Sequence, residues 1–193
     1  THPAPTYKRM GLFGKKKAKE EASSDDKTDA QKKNEKDNEM YRVAPLQIGD
    51  EVPNFTLDSQ LGMLEFHSAL DGQFGLLVTF PRDFEAVATT ELGQIAKLKD
   101  EFDARGVKIF ALSVDTKLNH KKWMEDVNEL QDCTISFPLL VDNDGLVSKV
   151  FGLVRPDAKE GAEAKSVIPA GLVVLVNMDK KIQYISQVSD TCH

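Results

Sequence analysis

Between residues 46 and 187, apolar runs of strand length alternate with stretches of helical periodicity, and this alternation restricts the fold more than any single residue does. Residues 74–80 read F-G-L-L-V-T-F, apolar almost throughout and closed by Pro81, as expected of a strand buried on both faces. Residues 89–105 place Leu92, Ile95, Ala96, Leu98 and Phe102 near helical spacing, with Gly106 as the stop and Thr89 and Thr90 as candidate N-terminal caps. A second buried strand is predicted over 107–114, and a charged-faced helix over 119–130 with Trp123, Met124 and Val127 inward. A short strand over 137–141 and a short helix over 145–151 follow. Two further strands, 171–176 and 181–187, are joined by a hairpin turn at 177–180, and the polar stretch 155–166 reads as a loop. Alternation of this kind predicts an α/β domain with a central mixed sheet and helices on both faces.

Four blocks give the pattern a family likeness. Residues 46–55 read L-Q-I-G-D-E-V-P-N-F, residues 80–93 F-P-R-D-F-E-A-V-A-T-T-E-L-G, residues 106–115 G-V-K-I-F-A-L-S-V-D, and residues 137–145 F-P-L-L-V-D-N-D-G. In this order they resemble the peroxiredoxins, and most closely their one-cysteine branch. The resemblance runs from about Leu46 to about Thr191 and implies a thioredoxin-like fold in its peroxiredoxin elaboration. It implies fold more strongly than function, because a fold is inherited more readily than a working site.

The site that the resemblance implies is altered at several positions. The family's P-x-x-x-[TS]-x-x-C pattern falls on Pro81, Glu85 and Ala88, so alanine stands where the peroxide-attacking cysteine is expected. Alanine has no thiolate and cannot act as a nucleophile. Glu85 replaces a hydroxyl residue with a carboxylate, which would disfavour a neighbouring thiolate by like-charge repulsion. The histidine that precedes the family's proline is Phe80 here, and the proline within the T-P-x-C part of the pattern is Ala86. The arginine that lowers the cysteine pKa and holds peroxide falls on Gly171. Five changes around one pocket point to loss of the peroxidatic site. In the family fold the vacated position lies at the first turn of a helix, where backbone N–H groups and the dipole favour negative charge, and Glu91 is placed to use that field.

Charge is unevenly spread along the 193 residues. Residues 1–19 carry +6 with no acid, residues 20–39 carry −4, and the total of −6 leaves −8 on residues 40–193. An acidic body argues against broad nucleic-acid binding. No run approaches the ~18 to 20 apolar residues of a spanning helix. Residues 1–40 are a charged leader without apolar periodicity, and residues 41–193 form the peroxiredoxin-like domain, lacking the C-terminal part of the family fold. Within the leader, Lys8, Arg9, Leu12, Phe13, Lys15, Lys16 and Lys17 set two apolar anchors among cations, suited to an acidic partner or an anionic surface. The four histidines and two cysteines are scattered without metal-ligand spacing, so neither a structural metal nor a cofactor is expected. Absence of an initiator Met and the basic start suggest import into an organelle, a mitochondrion or plastid, with the cytoplasm as the alternative.

Two functions remain open on these grounds. The first is a non-catalytic peroxiredoxin-like protein serving as a structural or accessory subunit of a larger assembly. The second is a thiol-dependent peroxidase that uses a relocated cysteine, Cys192 or Cys133. Cys133 lies beside Asp132, an acid that raises thiol pKa, whereas Cys192 neighbours His193. A homodimer paired edge to edge through residues 181–187, as in the family, is left open by the sequence.

Overall fold

Phe74–Thr79 (β3) and Val107–Ser113 (β4) run parallel through the middle of a sheet, and the alternation of their side chains separates two apolar cores. The computed structural model describes residues 46–153 and 171–188. Among these residues the sheet has seven strands. Thr56–Ser59 (β1) and Leu64–Glu65 (β2) form a hairpin, Leu139–Val141 (β5) joins β4 in parallel, and Gly171–Val176 (β6) and Ile182–Val188 (β7) close the other side. The spatial order is β2-β1-β5-β4-β3-β6-β7, with β6 antiparallel to both β3 and β7.

Five helices flank the sheet among the described residues: α1, Phe66–Leu70; α2, Ala86–Lys97; α3, Lys99–Ala104; α4, Lys117–Gln131; and α5, Leu146–Val150. Leu77, Phe110 and Leu112 pack with Phe66, Leu70, Val147 and Phe151 on one side. Val78, Ile109 and Ala111 pack with Ala88, Leu92, Trp123 and Val127 on the other. This is the period-two division expected of strands covered on both faces. It confirms the α/β architecture with a mixed sheet. Among the described residues no helix is long and apolar enough to cross a membrane.

Several boundaries differ from the sequence reading. The helix expected over 89–105 begins three residues earlier, at Ala86, and divides at Leu98, where φ −90° and ψ 0° tighten the chain before α3. Thr89 and Thr90 are therefore inside α2 and do not cap it. Glu85 occupies the N-cap position with extended backbone, and its side chain makes no capping bond. Thr89 Oγ1 instead accepts a hydrogen bond from Trp123 Nε1 at 2.9 Å, and the Thr90 hydroxyl donates to Ala86 O at 3.1 Å. The helix expected over 119–130 extends to 117 and 131, because Thr116 caps it by accepting from Asn119 N. The 177–180 turn is a hairpin as expected, held by Asn177 Oδ1, which accepts from the N–H groups of Asp179 and Lys181. The stretch 155–166 lies outside the described residues.

Candidate functional site

The C-terminal end of β3 delivers Phe80 and Pro81 to the start of the loop that leads into α2. Phe80 is buried, and its N–H donates to Leu112 O at 2.9 Å, so the chain remains tied to β4 one residue beyond the strand. Its ring meets Trp123 edge-on with centroids 5.6 Å apart, a favoured aromatic geometry. The loop then turns at Phe84, whose φ of 65° is uncommon for a bulky side chain.

Asp83 holds this loop down. Its backbone N–H donates to Asp115 Oδ2 at 2.9 Å, and its Oδ1 accepts from the Ser113 hydroxyl at 2.8 Å. Its Oδ2 lies 2.7 Å from His120 Nδ1, in a pair wholly removed from solvent. Leu140 O, 3.1 Å from His120 Nε2, can only accept, so that contact calls for a proton on Nε2. Ser113, His120 and an aspartate are the residue types of a hydrolytic triad, but the connectivity is wrong for one. The serine donates to the aspartate and not to the imidazole, and both residues are buried. The network is a scaffold for the loop. Sequence reasoning missed it, since its partners are 30 and 37 positions apart and no local spacing marks them.

A cleft of about 360 Å³ lies between α2 and strands β3 and β6. Phe80, Pro81, Glu85, Ala88 and Gly171 all line it. Residues separated by up to 91 positions thus meet in the place that the family likeness implies for a peroxidatic centre. Gly171 reaches it because β6 pairs antiparallel with β3 in a register that sets Leu172 opposite Thr79, where Leu172 N also donates to Thr79 Oγ1 at 3.0 Å. Ala88 is 3% exposed and sits in the first turn of α2, its methyl packed into the second core. Ala86, the exposed first residue of the helix, does not line the cleft.

Cys133 is outside the cleft lining. It is half-buried beyond the C-terminal end of α4, with Sγ 3.8 Å from Val127 O. Burial pushes its thiol pKa up, Asp132 adds to the rise, and Lys97 partly opposes it. A thiol in such surroundings is a poor nucleophile at neutral pH. Cys192 and the leader residues Lys8, Arg9, Leu12, Phe13, Lys15, Lys16 and Lys17 lie outside the described residues. Among the described residues no group of three or more His, Cys, Asp or Glu side chains could hold a metal ion.

The chain as a whole is similar to known proteins. The pattern of the AhpC/TSA family matches residues 48–185. The chain is 39% identical over 138 residues to a 1-Cys peroxiredoxin of Dictyostelium discoideum, covering 72% of this chain and 55% of that protein. It is 37% identical over 142 residues to the peroxiredoxin-6 of Rattus norvegicus, covering 72% of this chain and 62% of that one. The chain therefore spans little more than half the length of these curated relatives. Among solved structures it is similar to a cysteine-to-serine mutant of the peroxiredoxin 6 of Arenicola marina, with TM-score 0.67 and 35% identity over 76% of this chain and 66% of that one. It is also similar to a yeast mitochondrial 1-Cys peroxiredoxin, with TM-score 0.65 and 32% identity over 74% of this chain and 68% of that one.

Proposed function

Since the chain belongs to the AhpC/TSA family, in the one-cysteine branch of the peroxiredoxins, we propose that it is a non-catalytic member of that family, serving as a structural or accessory subunit of a larger assembly. The observation that carries this reading is Ala88, a buried methyl at the helix turn where the family pattern requires the nucleophile. The same cleft has a carboxylate at Glu85 and no side chain at Gly171. Without a thiolate, the hydroxyl that accompanies it and the cation that stabilises it, only the N-terminus of α2 remains of the family's stabilising groups there, with no nucleophile to act on.

The part in an assembly falls to the leader and to exposed surface. Residues 1–19 carry six cations with Leu12 and Phe13 among them, and β7 lies at a sheet edge among the described residues, covered at its start by residues 49–52, where Gly49 N–H donates to Ile182 O and Ile182 N–H donates to Asp50 O. Open edges recruit other chains. Size analysis of the native protein tests this: elution in a very large particle supports the subunit role, and elution as a free single chain contradicts it.

The alternative, an antioxidant peroxidase working through a relocated thiol, is motivated by the family itself. Burial of Cys133 weighs against that residue and leaves Cys192 as the candidate carrier. Peroxide reduction abolished by Cys192→Ser would establish it.

A further inference from the structure

The cleft at the vacated site has a divided chemistry. Val78 of β3, Phe80 just beyond that strand, Ala88 and Ile95 of α2 and Val173 of β6 give it apolar walls, and its lining residues include two acids, Glu85 and Glu91. No Lys, Arg or His lines it among the described residues. None of the ion pairs among those residues involves Glu85 or Glu91. The N-terminus of α2 contributes the opposite sign, but a helix end is equivalent to only about half a positive charge, against two full negative ones. The cleft is thus net negative, whereas the arginine that the family likeness places at Gly171 would have made it a site for anions.

Resting on the non-catalytic reading above, we infer that this cleft binds a small organic monocation: a primary ammonium or guanidinium set against Glu85 and Glu91, with a hydrocarbon body against Val78, Ala88 and Val173. Its volume of about 360 Å³ is near the lower end of ligand pockets, ~300 to 1,000 Å³, which favours a compact ligand. The apolar body supplies most of the affinity by leaving water, and the carboxylates select the sign of the head group. Glu91 is exposed and Glu85 half-exposed, so the charge preference is modest and sensitive to salt.

The test compares three probes of nearly the same shape, phenethylamine, 2-phenylethanol and phenylacetate, each titrated into the full chain at pH 7 and followed by methyl NMR. Phenethylamine should bind in the millimolar range appropriate to about nine heavy atoms. It should move the methyl signals of Val78, Ile95 and Val173 and bind roughly three- to tenfold more tightly than the alcohol, with phenylacetate weakest. The Glu85→Gln, Glu91→Gln double variant should lower the amine to the alcohol's affinity while leaving the alcohol's own binding unchanged. Equal binding of amine and alcohol to the unmodified protein, tighter binding of phenylacetate, shifts confined to other methyls, or an amine preference that survives the double variant would each overturn the inference. A peroxide assay on the same sample separates the two readings: rapid turnover refutes the non-catalytic reading, whereas failed amine binding without turnover refutes only the ligand.

Discussion

Trp123 Nε1 donates to Thr89 Oγ1 at 2.9 Å, joining α4 to α2 one residue along from Ala88. Both residues are buried, so the bond is the indole's only means of replacing water. Thr89→Val keeps the shape and removes the acceptor, and it should cost about 1–3 kcal/mol for the stranded N–H. Thr89→Ser retains the acceptor and should lose less. Urea denaturation of the two variants checks the order; equal losses would mean that the methyl, and not the hydroxyl, matters here.

Gly93 faces α4 at close range. A Cβ built there would lie 2.6 Å from Gln131 Cβ, closer than side-chain atoms pack, and it also meets Gln131 Cγ. Gly93→Ala gains up to about 1 kcal/mol of helix propensity but should still destabilise the fold by about 1–3 kcal/mol through overpacking. Thermal melting would show this as a lowered midpoint. A raised midpoint would mean that α2 and α4 separate without difficulty.

Two carboxylates should respond to acid in opposite directions. Asp142 is buried and its pKa is raised, chiefly by desolvation, although the backbone N–H groups of Val147 and Ser148 and the Ser148 hydroxyl bond to it. The folded state therefore binds more protons at this site than the unfolded one, and the group's contribution to stability rises as pH falls through its folded pKa. Asp58 is lowered, first by its hydrogen bond from Lys117, so its contribution is present above 3.8 and is lost as pH falls through its lower folded value. Relative to Asp142→Asn, the natural protein should gain stability between pH 7 and pH 4. Relative to Asp58→Asn, it should lose stability as the pH is taken below 4. Urea midpoints at a series of pH values decide the signs, and parallel slopes for both pairs would contradict the assignment.

Deleting residues 1–40 should leave the domain's melting temperature nearly unchanged, since among the described residues both apolar cores are assembled from Leu46 onward. The same deletion should sharply weaken incorporation into the native assembly, and added salt should weaken incorporation of the full chain. Equal incorporation of truncated and full-length protein would move the contact to the body, first to β7.

The central strands were legible because continuous apolar runs such as 74–80 have one economical interpretation in an α/β chain. The β1–β2 hairpin and α1 were not, being elements of four, two and five residues with mixed burial and too short for periodicity to register. The start of α2 was misplaced because Thr89 and Thr90 look like caps, whereas the helix begins after Glu85 and both hydroxyls serve other bonds. All the cleft positions were read through the family likeness: Phe80, Pro81, Glu85 and Ala88 from one local motif of it, and Gly171 from a distant stretch. The Asp83–His120 scaffold needed the fold, because its members come from a loop and a helix that only the sheet brings together.

Restoring the nucleophile alone should not restore the chemistry. In Ala88→Cys the new thiol would gain the α2 N-terminus but face Glu85 without a cation at Gly171, which should leave its pKa near or above the ~8.5 of a free cysteine. Iodoacetamide alkylation against pH measures it. A value below about 6 would show that the cleft still favours a thiolate.

Stopped-flow reduction of hydrogen peroxide by the full-length protein tests the central claim. The account predicts a rate no greater than that of a cysteine-containing control peptide at equal thiol concentration, because Ala88 supplies no nucleophile and Cys133 is held as a thiol. A rate orders of magnitude above that control, whether or not it vanished in Cys192→Ser, would contradict the claim that this peroxiredoxin has lost its catalysis.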